Sequence, residues 1–278
     1  MSALPRYYAA ASSSFVDEFK GACRDLVSSF KDTRIWFALG LNDVVARYRG
    51  SILGPFWITL TTAIFVLGIG FLYAGLMKIS LDRYLPWMTT GLVVWNLISQ
   101  TALEGADAFV AASDVLRQAA LPAPLFVWRV IWRNVLTFVH QLPVLVIVGL
   151  KFGYLLHVHL GEAVIGFVLI VLNISWFALA FAAICARFRD LKQILASLIQ
   201  LLFFLSPVLW IPSEMKGLGG RLLTLNPIVH MLDVLRGPLI GEHFHLRSVL
   251  ILVAIALAGW AFTLVFLAKV RRRIVHYV

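Results

Sequence analysis

Two guanidinium groups stand at the threshold of a long apolar run. Arg47 and Arg49 precede "GSILGPFWITLTTAIFVLGIGFLYAGLM", an uncharged stretch from Gly50 to Met77. A guanidinium stays charged at physiological pH, and its planar fork of donors matches phosphate oxygens. At the level of lipid headgroups the pair is suited to meet phosphate oxygens. It is equally suited to fix the orientation of the segment and to attract bulk anionic lipid. Both readings stand on the residues alone.

Other reactive groups are sparse. The chain has no Gly-x-x-x-x-Gly-Lys-Ser/Thr phosphate loop, so ATP hydrolysis by this polypeptide is not expected. It also lacks a His-Glu-x-x-His zinc helix and a Gly-x-Ser-x-Gly elbow. His157/His159 and His243/His245 form two His-x-His pairs, a weak metal pattern. With no Cys or Asp cluster beside them in sequence, they read as polar loop residues, and no metal is expected. Cys23 and Cys185 lack metal-type spacing and read as free thiols.

The elements that must position these groups follow from composition. Of 278 residues, 61% are hydrophobic and 14% charged, against about 25% charged in a soluble domain. The expected fold is an all-α polytopic membrane protein. Six windows approach the ~20 apolar residues that cross a bilayer: Trp57–Met77, Tyr84–Leu103, Asn134–Leu150, Ala163–Ala186, Gln193–Ser213 and Ser248–Ala268. None contains Asp, Glu, Lys or Arg. Ion-coupled carriers keep such residues near the midplane, so the energy for any transport is expected from outside the chain. His140 is the titratable group inside a window, and a helix-to-helix hydrogen bond is its simplest role.

The net charge of +10 does not point to nucleic acid, because many of the basic residues sit beside apolar runs. With an even number of crossings, both termini share one side. That side carries 17 basic residues and the other 7, so both termini are expected in the cytoplasm. No cleavable signal peptide is expected, since mixed charges precede the first apolar run.

Residues 1–56 form an N-terminal segment, 57–268 the transmembrane domain and 269–278 a basic tail. Phe15, Phe19, Cys23, Leu26 and Phe30 recur at helical spacing. This amphipathic helix lies either in the headgroup plane or against other cytoplasmic protein. In the loop 104–133, Phe109, Ala112 and Leu116 share a helical face, with Ser113 placed to cap a short helix that stops before Pro122 and Pro124. Between windows five and six, Asn226–Pro227 starts a helix with Ile228, Met231, Leu232 and Leu235 on one face, and Gly237–Pro238 is expected to stop it. Too short to cross, it is either a half-helix dipping into the outer interface or a surface helix.

Small residues repeat four apart at Ala178, Ala182 and Ala186 and at Ala254 and Ala258, permitting close helix contact, including between copies of the chain. Aromatic residues concentrate in windows one (Trp57, Phe65, Phe71, Tyr73) and five (Phe203, Phe204, Trp210). Their flat faces suit the C–H faces of sugars, and they equally suit lipid or the membrane interface.

In order along the chain, "ARYRGSILGPFW" (46–57), "LPWMTTGLVVWNLIS" (85–99), "ASDVLRQAALPAPLF" (112–126), "RFRDLKQIL" (187–195), "LFFLSPVLW" (202–210) and "LNPIVHMLDVLRGPLIG" (225–241) resemble the membrane subunit of ABC-2-type exporters of lipid-linked polysaccharide, the O-antigen and capsule group. "LRQAALPAP" is less basic and aromatic than that pattern, and the His-rich end of the outer loop is this chain's own. The resemblance implies two copies forming a channel in the bacterial inner membrane, driven by two copies of a separate ATP-binding subunit that holds ATP and Mg. It implies a glycan on a polyprenyl diphosphate as cargo, with Arg47 and Arg49 at its diphosphate and the seven aromatics along its path. It further implies ATPase coupling through Phe109, Asp114, Leu116 and Arg117, with Arg187, Arg189 and Asp190 facing the same partner. No cofactor is implied in this chain. The alternatives are an ABC-2 permease for a drug, another lipid or teichoic acid, a membrane-embedded lipid- or glycan-modifying enzyme, and a structural membrane subunit.

Overall fold

The computed structural model describes residues 14–119, 121–212, 223 and 225–277. Its helices are α1 (Phe15–Lys31), α2 (Thr33–Arg47), α3 (Phe56–Met77), α4 (Leu81–Ala106), α5 (Ala108–Ala111), α6 (Ser113–Gln118), α7 (Pro124–Phe152), α8 (Leu160–Arg187), α9 (Leu191–Leu205), α10 (Pro227–Leu239), α11 (Leu246–Val270) and α12 (Ile274–Tyr277). There is no strand among the described residues.

Local sequence explains the boundaries. Pro124 and Pro227 each stand at a first helical position, where a missing N–H costs nothing. Asn226 caps α10, its Oδ1 accepting the Ile228 N–H at 2.9 Å. Gly153 ends α7 in the left-handed conformation, φ 77°.

Among the described residues, α3, α7, α8 and α11 are long and apolar enough to cross a membrane. The other two windows take different forms. The 26-residue α4 is about 39 Å long at the usual rise. It forms the centre of the bundle, packed between α7 and α8 with Tyr84, Met88, Val93 and Val94 buried. The fifth window is not one continuous helix. The 15-residue α9 covers only about 22 Å and stops at Leu205, because Ser206 precedes a proline and is extended. Residues 207–211 continue outside any helix. Two of their carbonyls are met by α4: the Tyr84 hydroxyl donates to Leu209 O at 2.6 Å and the Trp87 indole to Trp210 O at 3.1 Å. Non-helical backbone is tolerated at membrane depth when protein satisfies it in this way. The window's last residue, Ser213, lies outside the described residues.

The molecule therefore has two ends. One gathers Arg47, Glu104, Arg133, Lys192 and Arg271; the other gathers Asp82, Tyr154, His159, Ile211, Glu242 and His243. The chain passes between them in α3, α4, α7, α8, α9 with its extension, and α11. The first and last described helices both lie at the arginine-rich end.

α10 is buried in the protein, not laid on its surface. It packs on α8, α11 and α4, with Leu232, Val234 and Leu235 buried. Its backbone approaches α8 so closely that a side-chain carbon at Gly166 would meet the Val234 carbonyl. Gly237–Pro238 does not stop the helix. It continues through Pro238 to Leu239, and Gly241 at φ 88° ends it. Likewise, Ser113 begins α6 instead of capping it.

The N-terminal segment holds two helices. The buried side of α1 is not its aromatic stripe but Ala22, Asp25 and Ser29. Arg271 reaches Asp25 at 3.0 Å and Glu18 at 3.5 Å, and Arg272 reaches Glu18 at 2.6 Å. Gly21 leaves the space that the Arg271 guanidinium fills. Phe15, Val16, Val27 and Phe30 stay exposed, while Phe19 and Leu26 pack on the core. α1 thus docks on its own chain and keeps an apolar edge outward. The small residues divide likewise: Ala178, Ala182 and Ala186 are buried within the chain, whereas Ala254 and Ala258 face outward.

Candidate functional site

Arg47 closes α2, and its Nη2 donates to Glu104 Oε1 at 3.3 Å. The other oxygen of Glu104 accepts from Arg133 at 2.8 Å and from the Asn134 amide at 2.9 Å. Arg133 also reaches Asp43 at 3.1 Å, and Arg129 grips Asp43 through two donors at 2.7 and 2.5 Å. Three arginines face two carboxylates, so one positive charge is in excess. Asp43 and Gly40 bring α2 onto α7, where Phe37 stacks on Trp132 with centroids 4.4 Å apart. Arg49 lies in the following turn, exposed and without an ion pair to any described residue. Of the two predicted phosphate ligands, one is committed to a network and the other has no ion-pair partner among the described residues.

No local sequence pattern marks Asp43, Glu104, Arg129 and Arg133 as a group. Windows two and three end beside Glu104 and Arg133, so both looked like loop charges. Their partners lie 29 to 90 residues away in sequence.

Glu104, Asp107, Arg129, Arg133 and Lys192 line a cavity of about 330 Å³ at this end. Lys192 closes it with a 2.8 Å ion pair to Asp107. Leu103 lines this cavity and also an open groove of about 380 Å³ that runs on between α3, α4 and α9. The groove brings together Phe65, Phe203 and Phe204, with Trp95 beside Phe203 at 5.4 Å and with Asn96, Ser99 and Gln200 as polar groups. It therefore offers aromatic faces with hydrogen-bonding groups between them. Trp57 and Phe71 are exposed on α3 outside the groove. Tyr73 packs near Ala74, Tyr84 and Ile211. Trp210 donates to Phe204 O at 3.2 Å, beyond the end of α9.

The loop after α4 folds into α5 and α6. Phe109 and Leu116 are 0% and 1% exposed, so they anchor this hairpin in the core and cannot themselves touch a partner. Asp114 and Arg117 are exposed on it, as are Arg187 at the end of α8 and Arg189 and Asp190 after it. α12 packs on both α6 and α8, and Arg187 lies over its Tyr277 ring at 5.6 Å. One surface at the arginine-rich end thus unites the two predicted coupling stretches.

Two further polar side chains lie within the bundle. His140 Nδ1 lies 2.7 Å from Leu136 O on its own helix, while the His140 carbonyl accepts from the Thr59 hydroxyl on α3. The interior also holds a cation outside the six windows: Arg236 of α10 is 3% exposed, its guanidinium 4.1 Å from the Trp87 ring centroid. A buried cation over an aromatic face is held by the ring's negative face. At the opposite end, the Asp233 carboxylate, 2.8 Å from His245 Nδ1, raises that histidine's pKa, chiefly by hydrogen bonding.

A family model described as ABC-2 type transporter matches residues 35–240. The match begins inside α2 and ends just after α10. The chain is 32% identical over 197 residues to the O-antigen export system permease protein RfbA of Myxococcus xanthus, covering 69% of this chain and 74% of that protein. A permease of the same name from Klebsiella pneumoniae is 22% identical over 195 residues, with the same coverage. The chain belongs to the ABC-2 type transporter family.

Proposed function

We propose that this chain is the membrane permease of an ABC exporter that moves a polysaccharide linked to polyprenyl diphosphate, of O-antigen or capsule type, from cytoplasm to periplasm. One observation carries the reading furthest: the arginine network and the aromatic groove adjoin at Leu103. A lipid-linked glycan has a doubly charged diphosphate at one point and a train of sugar rings behind it. A site for the first opening into a path for the second is what such a cargo requires. The names borne by the relatives support the same cargo class.

In this reading the arginine-rich end is cytoplasmic and the histidine end periplasmic, with six crossings of the inner membrane. Arg49, unpaired and exposed, meets the diphosphate, and Arg47 exchanges Glu104 for it. Phe65, Phe203 and Phe204 pass the sugars along by stacking. The groove is open on one side, and a second copy of the chain closes it. Energy comes from two copies of an ATP-binding subunit that carry ATP and Mg. They dock on the surface formed by Asp114, Arg117, Arg187, Arg189 and Asp190. This chain then needs no cofactor, performs no catalysis and has no use for nucleic acid.

The test is export in cells whose own permease gene is deleted. Wild-type chain should restore surface glycan, and Arg49→Ala should assemble with the ATPase yet restore much less. Restored glycan with Arg49→Ala at wild-type level would remove the diphosphate role. Failure of Arg49→Ala to insert would instead support an orientation role.

A further inference from the structure

At the end opposite the arginines, the structure assembles a donor set from two distant stretches of chain. His159 precedes α8 by one residue, Glu162 lies in its first turn, and His243 comes from the loop between α10 and α11. One ligand-type atom from each residue lies within 4.8 Å of the other two. His243 Nδ1 is 2.6 Å from Glu162 Oε1, and the His159 and His243 rings stack at 4.1 Å with planes 21° apart.

The surroundings hold this set in place. The Phe244 N–H donates to Glu162 Oε2 at 3.1 Å, which fixes the carboxylate and turns Oε1 toward the imidazoles. The His159 N–H donates to Pro238 O at 3.0 Å, tying the start of α8 to the end of α10. A carboxylate that ligates a metal is usually itself held by an outer hydrogen bond, as Glu162 is here. By contrast, the other member of the second pair, His245, is engaged by Asp233 through both its ring and its N–H.

We propose that His159, Glu162 and His243 bind one divalent ion of the zinc class, which pins the α10–α11 loop to the first turn of α8. Two imidazoles and one carboxylate are a ligand set that zinc accepts, with a fourth position left for water. Zinc holds nitrogen and oxygen ligands at about 2.0–2.2 Å, so tetrahedral donors sit about 3.3 Å apart. The donors already meet this to within about 1.5 Å. His243 is the most exposed of the three and can make that adjustment by rotating its side chain. Hard ions such as calcium and magnesium prefer all-oxygen shells and are disfavoured here. The site is independent of the export reading, because it is assayed without cargo or ATPase.

The experiment is zinc titration of the purified, chelator-washed full-length chain in lipid nanodiscs, with cobalt as a spectroscopic probe. One zinc per chain should bind, and cobalt should give the visible absorption of a four-coordinate site. Glu162→Gln and His243→Ala should each weaken zinc by about tenfold or more, and His159→Ala with His243→Ala should abolish it. His245→Ala should bind as wild type. Zinc should also slow amide exchange across residues 242–245 in the wild type and not in the double variant, provided the two elute alike on gel filtration. Absence of stoichiometric zinc binding, binding that survives the double variant, or an equal loss in His245→Ala would each overturn the proposal.

Discussion

Asp43 is the negative charge by which α2 is fastened to α7, and Asp43→Asn tests how much that fastening contributes. Its carboxylate accepts three guanidinium donors, at 2.5 and 2.7 Å from Arg129 and 3.1 Å from Arg133. A hydrogen bond to a charged group is worth about 1.5–3 kcal/mol net. The arginine side chains are 30% and 18% exposed, so solvent screens part of the attraction. Asparagine also retains one acceptor oxygen. The expected loss is therefore about 2–3 kcal/mol, below the ~3–5 kcal/mol of a wholly buried pair. At about 2–4 °C per kcal/mol for a chain approaching this size, the midpoint of thermal unfolding in detergent should fall by about 5–10 °C. Arg129→Gln should cost a similar amount, and the double variant should cost clearly less than the sum, because the two changes remove one interaction. A midpoint for Asp43→Asn within about 1 °C of wild type, or strictly additive losses, would refute the account. Export should fall with stability, since α2 carries Arg47.

Other expectations follow from the same geometry. Tyr84→Phe leaves the Leu209 carbonyl without its donor and should cost about 1 kcal/mol, with faster amide exchange confined to residues 206–211. Gly166→Ala forces α10 away from α8 and should lower stability by about 1–3 kcal/mol, read as an earlier loss of the monodisperse gel-filtration peak on heating. Phe65→Ala and Phe204→Ala remove exposed rings, so expression and melting should hold while glycan export slows; unchanged export in the paired variant would remove these rings from the path.

The parts of the fold that the sequence discloses are those set by local chemistry. Apolar windows, proline starts, the asparagine cap and the buried face of Phe109, Ala112 and Leu116 depend on neighbours a few residues away. The rest depends on partners far off in the chain. The fifth window is uncharged throughout, yet residues 207–211 are not helical, and Tyr84 and Trp87 of α4 help to make that tolerable. α1 has an aromatic stripe that suggests its buried face, but Arg271 and Arg272 claim the acidic one. The histidine pairs looked inert because Glu162 lies outside both, and the fold sets one member of each pair beside it. Arg47 and Arg49 were legible as a pair; that one is engaged and one idle depends on Glu104.

The grip of Arg271 and Arg272 on Asp25 and Glu18 spans 246 residues between Arg271 and Asp25. During synthesis α1 leaves the ribosome long before its two cations exist. Until then its acidic side is solvated and its phenylalanines can rest on the bilayer surface. The latch shuts only when translation has passed Arg272. A product truncated within α11 would keep most of the bundle but lack the cations that hold its first helix, so latching marks a polypeptide in which α11 has been read through.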